Sequence, residues 1–162
     1  MTDYTLLCSQ LRALTEGVPH FVANLANASA LLWHSMEDLN WAGFYLMEGG
    51  QLVLGPFQGK TACIEIPVGK GVCGTAAARR TTQLVPDVHA FPGHIACDGA
   101  SRSETVVPLQ TADGVPFGVL DVDSPALDRF DADTVALLEA AAGIIQERTA
   151  DAVRTLYGRN GA

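Results

Sequence analysis

Apolar residues recur with helical spacing at both ends of the chain. One helix is predicted over residues 3–14, and Pro19 can open a second at its first turn. A long helix is predicted to follow Asp131, whose side chain can cap it. In the first helix the residues with helical spacing are Tyr4, Leu7, Leu11 and Leu14. The expected buried stripe of the second is Phe21, Leu25, Ala28 and Leu32, and the stripe of the third is Val135, Leu138, Ala142 and Ile145.

The middle of the chain alternates short apolar runs with turn residues, a pattern typical of antiparallel strands. Turns at residues 48–50 and 111–114 predict two hairpins. The predicted strands span residues 40–47, 51–54, 63–66, 83–85, 104–109 and 115–122. A flexible segment over 69–74, a short helix over 76–80 and an irregular segment over 86–102 connect them. The order predicts an α+β (α/β) fold, with helices packed on a central antiparallel sheet of five or six strands.

Length and charge narrow the classes of function. The 162 residues are expected to form a single domain, 1–162. A net charge of −8 argues against DNA or RNA as a partner, because a surface that follows phosphates is basic. The longest uncharged stretch, residues 17–36, has too many polar groups to cross a membrane, and the first residues do not resemble a secretory signal. We therefore expect a cytoplasmic protein, in which repeated cysteines indicate redox chemistry or metal binding.

Four cysteines are the first candidates for chemistry. Cys8 lies within the first predicted helix and is expected to be a small, partly buried thiol. Cys63, Cys73 and Cys97 lie at strand ends or in loops, and no pair has C-x-x-C spacing. Cys97 has His94 before it and Arg102 after it, either of which could favour the thiolate, whereas Asp98 disfavours it. A zinc ion held by the three thiolates and His94 is a weaker alternative.

Acidic and aromatic residues supply a second group of candidates. Asp121 and Asp123 are two apart on one predicted strand and so share a face, and hairpin pairing would bring Glu104 near them. Clustered carboxylates bind cations, amines or protons. Trp41 and Tyr45 also share a strand face, either as core residues or as the wall of a pocket for a small apolar group.

Seven segments together resemble the free methionine-(R)-sulfoxide reductases, which are built on a GAF domain. The resemblance covers roughly residues 20–146, and the three cysteines with their flanking residues make it more specific than a GAF outline alone. The segments are Asn40-Trp41-Ala42-Gly43-Phe44-Tyr45, Gly55-Pro56-Phe57-Gln58-Gly59-Lys60, Ala62-Cys63-Ile64, Gly69-Lys70-Gly71-Val72-Cys73-Gly74, Asp87-Val88-His89-Ala90-Phe91-Pro92-Gly93-His94-Ile95-Ala96-Cys97-Asp98, Ser103-Glu104 and Gly118-Val119-Leu120-Asp121-Val122-Asp123-Ser124.

The resemblance implies a role for each matching residue. Cys97 matches the catalytic cysteine, Cys63 the resolving cysteine, and Cys73 a third thiol that bonds Cys97 or relays. The three carboxylates and the aromatic pair described above match residues that line the substrate pocket in this family. Cys8 has no counterpart in the family. Which of Cys63 and Cys73 resolves first stays open, as does whether Asp121 or Glu104 donates the proton.

The implied reaction is reduction of free methionine-(R)-sulfoxide through a cysteine sulfenic acid and an intramolecular disulfide. Thioredoxin is the implied external reductant, with no bound cofactor and no metal. The terminal helices could pair two copies of the chain as a homodimer. The alternatives are a non-catalytic GAF module that senses a small ligand and a zinc-stabilised structural domain.

Overall fold

The computed structural model describes residues 3–157, so the ends of the predicted single domain lie outside the described residues. Helices α1 (Tyr4–Thr15) and α2 (Phe21–Ser35) precede strands β1 (Trp41–Glu48), β2 (Gln51–Gly59) and β3 (Glu65–Pro67). Helix α3 (Gly71–Arg79), β4 (Gln83–Val85) and a 3-10 turn (Val88–Ala90) follow. Strands β5 (Ser103–Gln110) and β6 (Pro116–Ser124) lead into α4 (Ala132–Tyr157).

The strands form one antiparallel sheet of six in the order β3-β2-β1-β6-β5-β4, which confirms the predicted sheet. Both predicted hairpins are present, as β1–β2 and β5–β6, and β1 also pairs with β6 at the centre. None of the described helices is long and apolar enough to cross a bilayer.

One face of the sheet is covered by α1, α2 and α4. The predicted α2 stripe is buried along its whole length, and Leu138 and Ile145 of α4 are buried with it. Ala42, Phe44, Leu120 and Val122 point into this core from the sheet. Asp131 caps α4 as predicted, since its Oδ1 accepts a hydrogen bond from the Thr134 N–H at 2.8 Å.

The other face is covered by α3 and by the loops that carry the remaining cysteines. Residues alternating with those of the first core form a second cluster, which includes Trp41, Tyr45, Val106 and Val119. Cys73 and Val72 of α3 pack against it. This smaller core positions the candidate site.

Three predicted boundaries are wrong. Residues 63–64 lie before β3, which begins only at Glu65. The short helix begins at Gly71 instead of Ala76, since the Gly74 N–H already donates to the Lys70 carbonyl oxygen at 3.1 Å. Position 74 must be glycine, because a Cβ there would collide with the Pro67 carbonyl oxygen. Strand β2 continues to Gly59 through Pro56, which is tolerated because β3 pairs only with Gln51–Val53 and leaves that part of β2 at an edge.

Candidate active site

The candidate site begins with a disulfide between Cys63 and Cys97, whose Cα atoms are 5.3 Å apart. Both cysteines are half-buried and lie in loops on the second face of the sheet. The backbone of Cys63 is fixed to strand β1, because its carbonyl oxygen accepts a hydrogen bond from the Tyr45 hydroxyl at 2.9 Å. Two of the three sulfurs in the zinc alternative are therefore bonded to each other, so the oxidised protein offers no set of three thiolates.

The Cys97 loop is fixed to the start of β1 by Asn40. The Asn40 Nδ2 donates to Asp98 Oδ2 at 3.0 Å and to Ser101 Oγ at 2.8 Å. The Ala100 N–H donates to Asp98 Oδ1, and these hydrogen bonds, that of Ala100 first, lower the pKa of the Asp98 carboxyl. Asp98 is thus a negatively charged neighbour of Cys97, and, as expected from the sequence, its charge disfavours the Cys97 thiolate. Asn40 and Ser101 were not identified as supports, because their partners are about 60 residues away.

The three predicted carboxyl groups come together in a cavity that Cys97 also lines. Glu104 on β5 is directly opposite Asp123 on β6, and Asp121 lies two residues earlier on the same face. All three line one cavity with Cys73, Cys97 and Tyr45. The register of the β5–β6 hairpin therefore puts the three carboxyl groups on one face of the sheet, as the alternation of side chains along the strands predicted.

Burial dominates the electrostatics of this cluster. It raises the pKa of Asp121 to about 7, and hydrogen bonds from Cys73 and Glu104 oppose that rise. Burial, and next the charge of Asp121, raise the pKa of Glu104 and of Asp123 well above the usual range. Glu104 and Asp123 therefore favour the protonated form near neutral pH, Asp121 titrates in that range, and a cation in the cavity would favour ionisation of all three.

Cys73 is the thiol closest to the carboxyl groups. It is 4% exposed, and its Sγ lies 3.9 Å from Glu104 Oε1, to which it donates. Burial, followed by the charges of Asp121 and Glu104, raises the pKa of the Cys73 thiol well above its ordinary value. Cys73 is therefore a protonated thiol in this state and is not bonded to Cys63 or Cys97.

His94 also lines the cavity, whereas Arg102 is not among the lining residues. The His94 Nε2 lies 3.8 Å from Glu104 Oε2, and its side chain is only 16% exposed. Burial, and then the nearby His89, lower the pKa of the His94 imidazole. Of the two basic residues considered for Cys97, His94 is thus the one in the cavity, as a largely neutral imidazole.

The aromatic pair belongs to the second core, and only Tyr45 reaches the cavity. Tyr45 lines the cavity, and the ring of Trp41 stacks between Tyr45 and Phe57, with centroids 5.7 and 5.1 Å away. Burial, with Asp121 as the next cause, raises the pKa of the Tyr45 hydroxyl. Trp41 itself is 2% exposed and is not among the cavity-lining residues of this oxidised form. Cys8 lies on the opposite face, in a groove between α1 and α4.

Comparison with known proteins yields one family model and several relatives. The model, described as GAF domain, matches residues 28–147. The chain is 57% identical over 127 residues to the free methionine-R-sulfoxide reductase of Escherichia coli, a match that covers 78% of this chain and 76% of that protein.

Two solved structures have the same fold and related sequences. The reduced form of fRMsr of Staphylococcus aureus is 53% identical with a TM-score of 0.88, over 91% of this chain and 96% of that one. The free methionine-R-sulfoxide reductase of Neisseria meningitidis, in complex with its substrate, is 44% identical with a TM-score of 0.88, over 94% and 90% of the two chains.

Proposed function

Because the chain belongs to the GAF domain family of free methionine-(R)-sulfoxide reductases, we propose that it reduces free L-methionine-(R)-S-oxide to L-methionine. The observation that carries the proposal is the disulfide between Cys63 and Cys97, with Cys97 lining a cavity that also contains three carboxyl groups whose pKa is raised by burial. A disulfide is the product expected when a sulfoxide oxidises the thiols, and the carboxyl groups are suitable proton donors for the departing oxygen. The relatives' names support the choice of substrate.

The first step forms a sulfenic acid on Cys97. The Cys97 thiolate attacks the sulfoxide sulfur, and a carboxyl group protonates the sulfoxide oxygen. The resulting hydroxyl then transfers to the Cys97 sulfur, as the bonds from the methionine sulfur to that oxygen and to Cys97 break. Methionine leaves as the thioether, reduced by two electrons, and Cys97 is oxidised to the sulfenic acid. Asp121 and Glu104 are the candidate proton donors, since burial raises the pKa of both carboxyl groups. The choice between them stays open.

The second step forms the disulfide. The Cys63 thiol condenses with the Cys97 sulfenic acid, forming the sulfur–sulfur bond and releasing water. Cys63 is the favoured resolving residue, because it is already bonded to Cys97, whereas Cys73 is a free buried thiol. An external dithiol, with thioredoxin as the proposed protein, then reduces the disulfide by thiol–disulfide exchange and is itself oxidised.

Selection of the free amino acid follows from charge. The substrate carries an ammonium group, and Asp123 with its neighbouring carboxyls would bind it and become ionised. A methionine sulfoxide within a peptide lacks that cation and would leave buried carboxyl groups without a partner. Tyr45, which lines the cavity, would contact the apolar methyl end, with the ring of Trp41 stacked against it and available if the cavity opens.

Binding also requires the Cys97 loop to move. With the disulfide formed, the cavity has a volume of about 30 Å³, which suits about two water molecules rather than an amino acid. Reduction of the disulfide would free the Cys97 loop and admit the substrate.

A dithiol-coupled assay tests this proposal. We expect turnover of free methionine-(R)-sulfoxide with thioredoxin, thioredoxin reductase and NADPH, and turnover at least about 100-fold slower with the same sulfoxide inside a peptide. Cys63→Ser should lower turnover with thioredoxin as the reductant, while Cys8→Ser, the matched control, should not. Equal turnover of free and peptide-bound substrate would contradict the ammonium argument, and ligand binding without thiol oxidation would indicate a sensor module instead.

A further inference from the structure

We propose that Cys73, Glu104, Asp121 and His94 form a binding site for a divalent cation of the zinc class within the cavity. One ligand atom from each of Cys73, Glu104 and Asp121 lies within 4.8 Å of the others, and all three residues are buried. His94 lies beside this group rather than within it, with its Nε2 3.8 Å from Glu104 Oε2, and would complete the set by turning its ring inward. These residues come from α3, β5, β6 and the Cys97 loop, so the fold, rather than a local sequence motif, assembles the set.

The donor atoms favour zinc over magnesium or calcium. A thiolate sulfur, an imidazole nitrogen and two carboxylate oxygens suit Zn²⁺, whereas Mg²⁺ and Ca²⁺ prefer oxygen alone. Zinc bonds of about 2.0–2.3 Å require the side chains to move toward the ion, and His94 must move furthest, since only the other three donors lie within 4.8 Å of one another. The cavity volume of about 30 Å³ also suits an ion better than a larger ligand.

An unpartnered buried acceptor points independently to a ligand. Asp121 is 6% exposed and its Oδ1 has no hydrogen-bond partner, although it belongs to the wall of the cavity. A buried polar atom without a partner is costly, so a cation bound there would supply the missing interaction. Cys8, the other free thiol, lies outside this cavity and has no such set of donors around it among the described residues.

The site does not depend on the proposed reductase activity. Cys73 is outside the Cys63–Cys97 disulfide, so the donor set persists in the oxidised protein. An ion there would occupy the space and the carboxylates proposed for the ammonium group of the substrate. The cation would therefore act as an inhibitor and not as a participant in the reaction.

Cobalt titration of the oxidised protein tests the site, with Co²⁺ as a spectroscopic probe for Zn²⁺. A thiol assay first verifies that only Cys8 and Cys73 remain free. We expect one Co²⁺ per chain, a thiolate-to-cobalt charge-transfer band, and loss of that band when Zn²⁺ is added. Cys8→Ser should keep the band, whereas Cys73→Ser should lose it and bind Co²⁺ at least about tenfold more weakly.

A second variant keeps the thiol and removes a carboxylate. Asp121→Asn should retain the charge-transfer band but bind Co²⁺ at least about tenfold more weakly. The thermal unfolding of each variant shows whether it is folded. The proposal is wrong if the oxidised wild type shows no thiolate band, if the band survives in Cys73→Ser or disappears in Cys8→Ser, or if Asp121→Asn binds with unchanged affinity. Because none of these readouts uses turnover, failure of the reductase proposal would leave this result intact.

Discussion

The two faces of the sheet are built from alternate residues of the same strands, yet they differ in chemistry. Phe44 and Leu120 point into the core beneath α1, α2 and α4, which is lined by apolar side chains. Tyr45 and Asp121, their neighbours in sequence, point to the other face, where carboxyls, thiols and a disulfide lie together. Burial of apolar surface stabilises the first face, whereas burial of ionisable groups destabilises the second. The comparison indicates that stability and reactivity are separated across the sheet.

The largest expected effect is on activity alone. Cys97→Ser removes the proposed nucleophile and should lower the turnover of free methionine-(R)-sulfoxide by at least about 10³-fold. The side chain is half-buried in a loop, so the urea unfolding curve of the reduced protein should change little. Coupled assays and unfolding measured on the same preparations test both statements. Retained turnover in Cys97→Ser would show that another group carries the reaction.

A core substitution on the helical face should have the opposite effect. Leu138 of α4 is fully buried, and Leu138→Ala should lower the free energy of unfolding by about 2–5 kcal/mol, because it leaves a cavity. Turnover per folded molecule should stay within about twofold of wild type, since the residue lies across the sheet from the site. Urea denaturation and active-site-normalised kinetics provide the measurements. A large loss of turnover at unchanged stability would mean that the two faces are coupled.

Asp121→Asn should affect both properties in opposite directions. Activity should fall about 10- to 100-fold, because a candidate proton donor and ammonium partner is lost. Stability should rise, since burial raises the pKa of Asp121 to about 7 in the folded protein, whereas an unfolded aspartate titrates near 3.9.

The sign of that stability change follows from proton binding. Between about pH 4 and pH 7 the folded protein binds more protons than the unfolded chain, so stability declines as the pH rises. Asp121→Asn should flatten this decline and be more stable than wild type by about 1–3 kcal/mol at pH 8, with little difference at pH 4. Unfolding curves across this range test the prediction. Parallel curves for the two proteins, or a less stable variant at pH 8, would contradict it.

Local pattern predicted much of the fold. The helical stripe of α2, the Asp131 cap and both hairpins depend on neighbouring residues, and each was confirmed. The start of α3 was missed because glycines weigh against a helix locally, while tertiary packing on Pro67 requires Gly74. That contact between α3 and the end of β3 explains the glycine at position 74, and helical or strand periodicity does not predict it.

In the candidate site, too, some features were predictable from local pattern and others depend on tertiary contacts. Strand alternation and hairpin pairing predicted that Glu104, Asp121 and Asp123 would share a face, and the register brings them together. No local rule joins Cys63 to Cys97, which are 34 residues apart, and only the family resemblance implied that pair. The nearness of His94 to Glu104 and the support of the Cys97 loop by Asn40 likewise depend on the closed fold.

A single-turnover experiment tests the central claim most directly. Fully reduced protein is mixed with excess free methionine-(R)-sulfoxide and no reductant, and the methionine formed and the thiols lost are counted per chain. We predict about one methionine per chain, loss of two thiols, and a peptide map showing the Cys63–Cys97 disulfide, as in the structure. Absence of methionine, or its formation with all thiols intact, would contradict the account.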